Sequence, residues 1–141
     1  MSFRAAAAVA FAVVALFASD GQSKDPNDVT AFMRLKLSHS QKILEGIVLE
    51  DFRLIEKNAQ DVSLLSHDEM WQVFQTPEYL QHSIEFRRSA DDVAGAARKR
   101  NIDGAALAYM GMTMRCVECH KHVRDVRMAG VPGKTLPPSG E

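Results

Sequence analysis

The residues with the clearest chemical potential lie close together near the end of the 141-residue chain, in the pentapeptide Cys116-Val117-Glu118-Cys119-His120, which holds both cysteines of the sequence. Two cysteines separated by two residues and followed by a histidine form the attachment signature of a c-type haem. Residues three and four apart share a helix face, so both thiols can bond the haem vinyl groups while the imidazole reaches the iron. The pattern predicts thioether links at Cys116 and Cys119, with His120 as the proximal iron ligand.

A cysteine pair at this spacing has three other interpretations. A redox dithiol of the thioredoxin type expects a neighbouring βαβ pattern, which the sequence lacks. A structural zinc ion needs four ligands, and neither His120 nor His122 supplies a second ligand pair at a recognisable spacing. The third alternative is chance occurrence in a structural helix. Haem is favoured because a helical context and an export signal both support it.

The export signal lies at the N-terminus, where Arg4 precedes an uninterrupted apolar run at residues 5–18 and small or polar residues follow at 19–23. This order of segments is the anatomy of a secretory signal peptide. The run is shorter than the ~20 apolar residues that a transmembrane helix needs. We therefore expect residues 1–23 to be removed, with the cleavage position open within a few residues. The mature protein is then expected in the periplasm.

The composition excludes several classes of protein. Lysine and arginine number 17 against 18 aspartate and glutamate, which gives a formal net charge of -1. This balance argues against a nucleic-acid binder with a basic surface and against an acidic disordered chain. Two cysteines exclude a multi-disulfide scaffold, and the length is that of one domain. The fold must therefore depend on a hydrophobic core or on a cofactor.

Apolar residues at three- and four-residue spacing, without alternating β-type runs, predict an all-α fold. Four long helices with short connections predict an antiparallel four-helix bundle over residues 24–128. The proline-containing tail at 129–141 is expected to be disordered.

Capping residues and glycine predict where each helix begins and ends. The expected helices run from Pro26 to Gly46, from Glu50 to Ser66, from Pro77 after the cap Thr76, and from Gly104 to Arg127 after the cap Asp103. A capping box at Ser66–Glu69 is expected to open a short linker segment that carries Met70, Trp71, Val73 and Phe74.

An attachment motif on the last helix of a four-helix bundle resembles the class II c-type cytochromes, the cytochrome c-prime family. The resemblance covers roughly residues 26–127 and is most specific from Asp103 to Arg124. It implies one covalent haem near the C-terminus of the bundle. It also implies that Arg124, four residues after His120, lies beside the proximal haem face, and that the chain can form a homodimer.

The resemblance further implies that a residue in the first half of the first helix covers the distal haem face. An apolar residue there leaves the iron five-coordinate, whereas a methionine makes it six-coordinate. Met33 and Leu37 lie four residues apart on one helical stripe, so either can face the iron, and core packing is the commoner role of a helical methionine. Helical geometry turns His39 by about 200° from Leu37, which argues against His39 as the ligand.

These residues predict a monohaem electron-transfer protein, with binding of NO or CO at an open iron site as the alternative. No distal acid–base group is evident apart from the badly turned His39, so an enzyme is not expected. The expected partner is a periplasmic or membrane-bound redox protein rather than a nucleic acid. A basic group near the motif can steer such a partner, although a solvated helix end explains it equally well. That group consists of Lys121, Arg124 and Arg127.

Other polar residues receive more ordinary roles. Tyr109 and Thr113 lie on the same helical face as His120 and are expected to line the proximal pocket. His67, His82 and His122 are expected to be surface or capping histidines, since none has a second metal-type residue at a useful spacing.

Overall fold

The computed structural model describes residues 26–69 and 76–129. These residues form four α-helices, α1 (Pro26–Val48), α2 (Phe52–Glu69), α3 (Pro77–Arg98) and α4 (Ile102–Ala129), and contain no strand. The all-α prediction is confirmed for this part of the chain. No helix within it is both long and apolar enough to cross a membrane. The predicted signal peptide, the linker at 70–75 and the tail from 130 onward lie outside the described residues.

Each helix packs against the next one along the chain, and α4 also returns to α1. In each contacting pair, residue numbers rise along one helix as they fall along the other. Ser63 and His67 of α2 contact Asp91 and Arg87 of α3, respectively. The order of partners is therefore antiparallel, as in an up-and-down bundle. The α1–α4 contact is the least extensive of the four.

The core contains residues from all four helices. Ile43, Ile55 and Val62 are fully buried, and Phe86 and Met112 join them from α3 and α4. Fully burying a side chain of this kind stabilises a fold by about 1.5–3 kcal/mol. Small residues complete the core where helices approach each other closely; these are Ala59, Ala90, Ala94, Ala97 and Ala105.

The two described turns between helices are built alike. Glu50 and Arg100 each adopt a left-handed backbone conformation with φ 53°. The amides of the next residues, Asp51 and Asn101, donate to carbonyls five residues earlier at 2.8 and 3.1 Å. These bonds satisfy carbonyls at the end of the preceding helix. The first helix accordingly ends at Val48, so its predicted end at Gly46 is two residues too early.

Side-chain caps begin the following helices. The Asp51 carboxylate accepts the amides of Arg53 and Leu54 at 3.1 and 3.0 Å. The Thr76 hydroxyl accepts the Tyr79 amide at 3.2 Å, so the predicted cap of α3 is confirmed.

The cap of α4 and the end of α2 also differ from the predicted boundaries. The Asn101 side chain accepts the Gly104 amide at 2.9 Å, so Asn101 is the cap and Asp103 lies in the first turn. The other correction concerns Ser66, which was expected to open a new segment. Its buried hydroxyl instead donates to the Val62 carbonyl at 2.9 Å, and α2 continues to Glu69.

Candidate haem-attachment site

The two cysteines lie on the core-facing side of α4. Cys116 is partly buried and packs against the core one turn after the fully buried Met112. Cys119 is also partly buried, and no disulfide joins the two residues. At about 100° per residue, both side chains leave the helix within about 40° of the Met112 direction. The pair therefore shares one face of α4, as the sequence predicted.

His120 lies at the edge of this face and is exposed. Viewed down the helix axis, the His120 side chain leaves α4 about 80° from the direction of Met112. Arg115 and His122 leave it at a similar angle on the other side of Met112. Arg115 and His122 contact α3. His120 therefore lies on the side of α4 that is turned away from α3, towards α1. Arg124 is exposed on this same side, one turn after His120.

Two contacts link side chains of α1, α3 and α4. The Lys36 ammonium of α1 lies 4.1 Å from the centre of the Phe86 ring on α3. The neighbouring Glu85 accepts a hydrogen bond from the Arg115 guanidinium of α4 at 3.1 Å. The end of the Lys36 side chain therefore points into the bundle, towards the part of α3 that contacts Arg115.

Met33 and Leu37 flank Lys36 in the N-terminal half of α1, which lies at the same end of the antiparallel bundle as the C-terminal half of α4. Met33 is partly buried, whereas Leu37 is 58% exposed. Viewed down the axis of α1, the Met33 side chain leaves the helix about 60° from Lys36, and the Leu37 side chain leaves it about 100° from Lys36. Met33 is therefore closer to the bundle interior than Leu37.

His39 faces a different helix. Its Nδ1 lies 2.9 Å from the Asn58 side-chain oxygen and 3.7 Å from an Asp61 carboxylate oxygen, both on α2. The prediction that His39 is turned away from the Leu37 stripe is thus confirmed.

The α1–α4 side of the bundle exposes large apolar residues. On α1, Leu37 belongs to an uncovered stripe with Leu44 and Val48. On α4, apolar residues recur at helical spacing on the outward face, opposite the core-facing stripe. These are Leu107, Met110, Met114 and Val117. The fourth helix is therefore apolar on two faces, and one of them is not buried within the bundle.

Tyr109 lies beside the cysteine motif on the core side of α4. It packs against the core, and burial raises the pKa of its phenol. Thr113 lowers that pKa, and the nearby Cys116 raises it. The Thr113 hydroxyl also donates to the Tyr109 carbonyl at 3.0 Å. Tyr109 is thus a partly buried neighbour of the first predicted attachment point.

The donor chemistry on this part of α4 fits a covalently linked haem. Two partly buried thiols share the inward face, an accessible imidazole follows at once, and the N-terminal half of α1 carries apolar residues at the same end of the bundle. Thioether formation needs the thiols, and iron ligation needs the imidazole. Within residues 29–67 and 76–129, no group of three or more His, Cys, Asp or Glu side chains is arranged to hold a metal ion, which a structural zinc would need.

The packing of α3 on α4 also joins residues that the sequence spacing left apart. The rings of His82 and His122 lie with their centroids 5.1 Å apart, tilted by 46°. Both are predicted from the sequence to be surface or capping histidines, whereas the structure has them partly buried against each other. The Gln81 amide, followed by the charges of Arg115 and His82, lowers the pKa of the adjacent Glu85.

Comparison with protein-family models, curated proteins and solved structures finds no match to this chain.

Proposed function

We propose that the protein is an exported monohaem c-type cytochrome that transfers electrons in the periplasm. The observation that carries the proposal is the partly buried cysteine pair on the inward face of α4, followed directly by the accessible His120. An apolar N-terminal run supports export, and export supports covalent haem attachment. When bound, the haem supplies one-electron redox chemistry.

Each residue of the motif has a distinct role in this proposal. The Cys116 and Cys119 thiols each add across a vinyl group, the S–H proton going to carbon, so that no oxidant or leaving group is required. His120 donates a ring-nitrogen lone pair to the iron. Arg124, one turn later on the same side of α4, holds a positive charge near the proximal face.

The residue on α1 that covers the distal face decides between two versions of this function. A Met33 thioether would be a second protein ligand to the iron, which would favour electron transfer with a raised reduction potential. Leu37 supplies no donor atom, so its approach leaves a position for NO or CO. The partial burial of Met33 favours the first version, and gas binding is the alternative.

Exposed basic residues near the motif support an acidic redox partner, since complementary charge speeds encounter. These are Lys121, Arg124 and Arg127.

The proposal is tested by absorption spectra of the protein purified from an exporting host that attaches haem, recorded oxidised, reduced, and reduced under CO. We expect haem bands of a low-spin iron that CO does not alter. A Met33→Leu variant should become high-spin and respond to CO. A CO-responsive wild-type spectrum would replace electron transfer with gas binding, and the absence of any haem band would overturn both versions.

A further inference from the structure

A second metal centre is suggested where α3 meets α4, separate from the cysteine motif. His82 and His122 come from the most extensively packed helix pair, and both side chains are partly buried. Their ring centroids lie 5.1 Å apart. Packing of two rigid helices thus holds two imidazoles side by side.

The spacing of the rings matches joint ligation of one ion. A metal–nitrogen bond of about 2.0–2.1 Å, with the ring centre about 1.2 Å behind the nitrogen, puts each ring centre about 3.2 Å from the ion. Two rings at the tetrahedral angle around that ion then lie about 5.2 Å apart. The observed 5.1 Å agrees with this value.

The tilt of the rings argues in the same direction. Aromatic rings that stack for packing alone favour offset parallel or edge-to-face arrangements. An interplanar angle of 46° is neither of these, whereas imidazoles that share an ion can take any rotation about the metal–nitrogen bond. The contact is therefore compatible with ligation and is not a preferred aromatic stack.

We propose that His82 and His122 bind one divalent late transition-metal ion, such as Zn²⁺, Cu²⁺ or Ni²⁺, across the α3–α4 interface. Imidazole nitrogen is a preferred ligand of these ions. Two protein ligands leave the remaining positions to water, so the site is open and exchangeable. It does not depend on the proposed haem chemistry.

Equilibrium dialysis of the full mature protein against Zn²⁺, with metal analysis of both compartments, tests this site. The variants are His82→Gln and His122→Gln, and His67→Gln is the matched control because His67 contacts Arg87 of α3 instead. A thiol pair also binds Zn²⁺, so the measured quantity is the difference between wild type and variants. Circular dichroism checks that each variant keeps its helices.

We expect each of the two variants to lose one Zn²⁺ per chain or to bind it about tenfold or more weakly, and the His67 variant to match wild type. Zn²⁺ should also raise the melting temperature of the wild type and the control, but not of the two variants, because an ion bound only by the folded state stabilises it. Equal Zn²⁺ binding by all four proteins would overturn the proposal. An equal loss in the His67 variant would do the same.

Discussion

His120 differs from His122, the other histidine of α4, in its position around the helix. It is exposed beside two inward-facing thiols, whereas His122, two residues later, contacts His82 of α3. Sequence proximity to the cysteines alone does not distinguish the two imidazoles. The helical repeat does, because it turns them to opposite sides of α4.

Replacing His120 by alanine should therefore remove the proximal ligand and change the haem absorption spectrum, while covalent attachment through the cysteines is retained. His122→Ala is the matched control and should leave the spectrum as it is. An unaltered spectrum in the His120 variant would remove this residue from the ligand set.

Tyr109 makes the free energy of unfolding depend on pH, and the direction of that dependence follows from its pKa shift. Burial raises the pKa of its phenol above the ordinary value of 10.0, so the folded state keeps this proton to higher pH than the unfolded state does. The stabilising contribution is complete below the unfolded pKa and is lost as pH rises through the folded pKa. It therefore disappears in the alkaline range, and neutral pH is unaffected.

A Tyr109→Phe variant should accordingly lose less stability than wild type when the pH is raised above the ordinary tyrosine pKa of about 10. Urea unfolding, followed by helical circular dichroism at neutral and alkaline pH, measures the free energy of unfolding of both proteins. Parallel decreases in the two proteins would show that Tyr109 does not contribute to the alkaline loss.

At the scale of the helices, Gly46 has a packing role rather than a terminating one. A Cβ atom added to it would lie 2.8 Å from Ile55 Cγ1 and 3.2 Å from the Asp51 carbonyl oxygen. The absence of a side chain lets α1 approach the start of α2. Gly111 is the opposite case, because a Cβ atom there would meet nothing within 4 Å.

These two glycines form a matched pair for mutation. Gly46→Ala should destabilise the protein by about 1–3 kcal/mol, because the core at Ile55 must shift. Gly111→Ala should stabilise it by about 1 kcal/mol, since alanine favours a helix interior and has open space there. Thermal unfolding of both variants checks the two signs, and stabilisation by Gly46→Ala would contradict the close approach.

Local signals explain which boundaries the sequence predicts well. Thr76 and Pro77 form an unambiguous start, and the structure confirms it. Asn101 and Asp103 both have side chains that suit a helix cap. The sequence pattern predicts Asp103, whereas the structure has Asn101 as the cap. Ser66 fits a capping box by pattern, but its burial against α3 keeps it inside α2, and burial of this kind is set by packing.

The same distinction applies to the site. The cysteine motif is local, so its shared helix face could be predicted from spacing. The pairing of His82 with His122 and the contact of Lys36 with Phe86 join residues on different helices, which no periodicity encodes.

At the scale of the whole molecule, the four helices bring a thiol pair, an imidazole and apolar side chains of α1 to one end of an antiparallel bundle. The α1–α4 contact, the least extensive of the four described, lies on the side to which His120 turns.

Covalent attachment at Cys116 and Cys119 is tested most directly by denaturing electrophoresis and intact mass of the protein exported by a host that attaches haem. We expect the haem to stay with the unfolded wild-type chain and to add its mass once. The double variant Cys116→Ala/Cys119→Ala should lose it. Loss of haem from the denatured wild-type chain, or haem that stays with the denatured double variant, would contradict covalent attachment at these two cysteines.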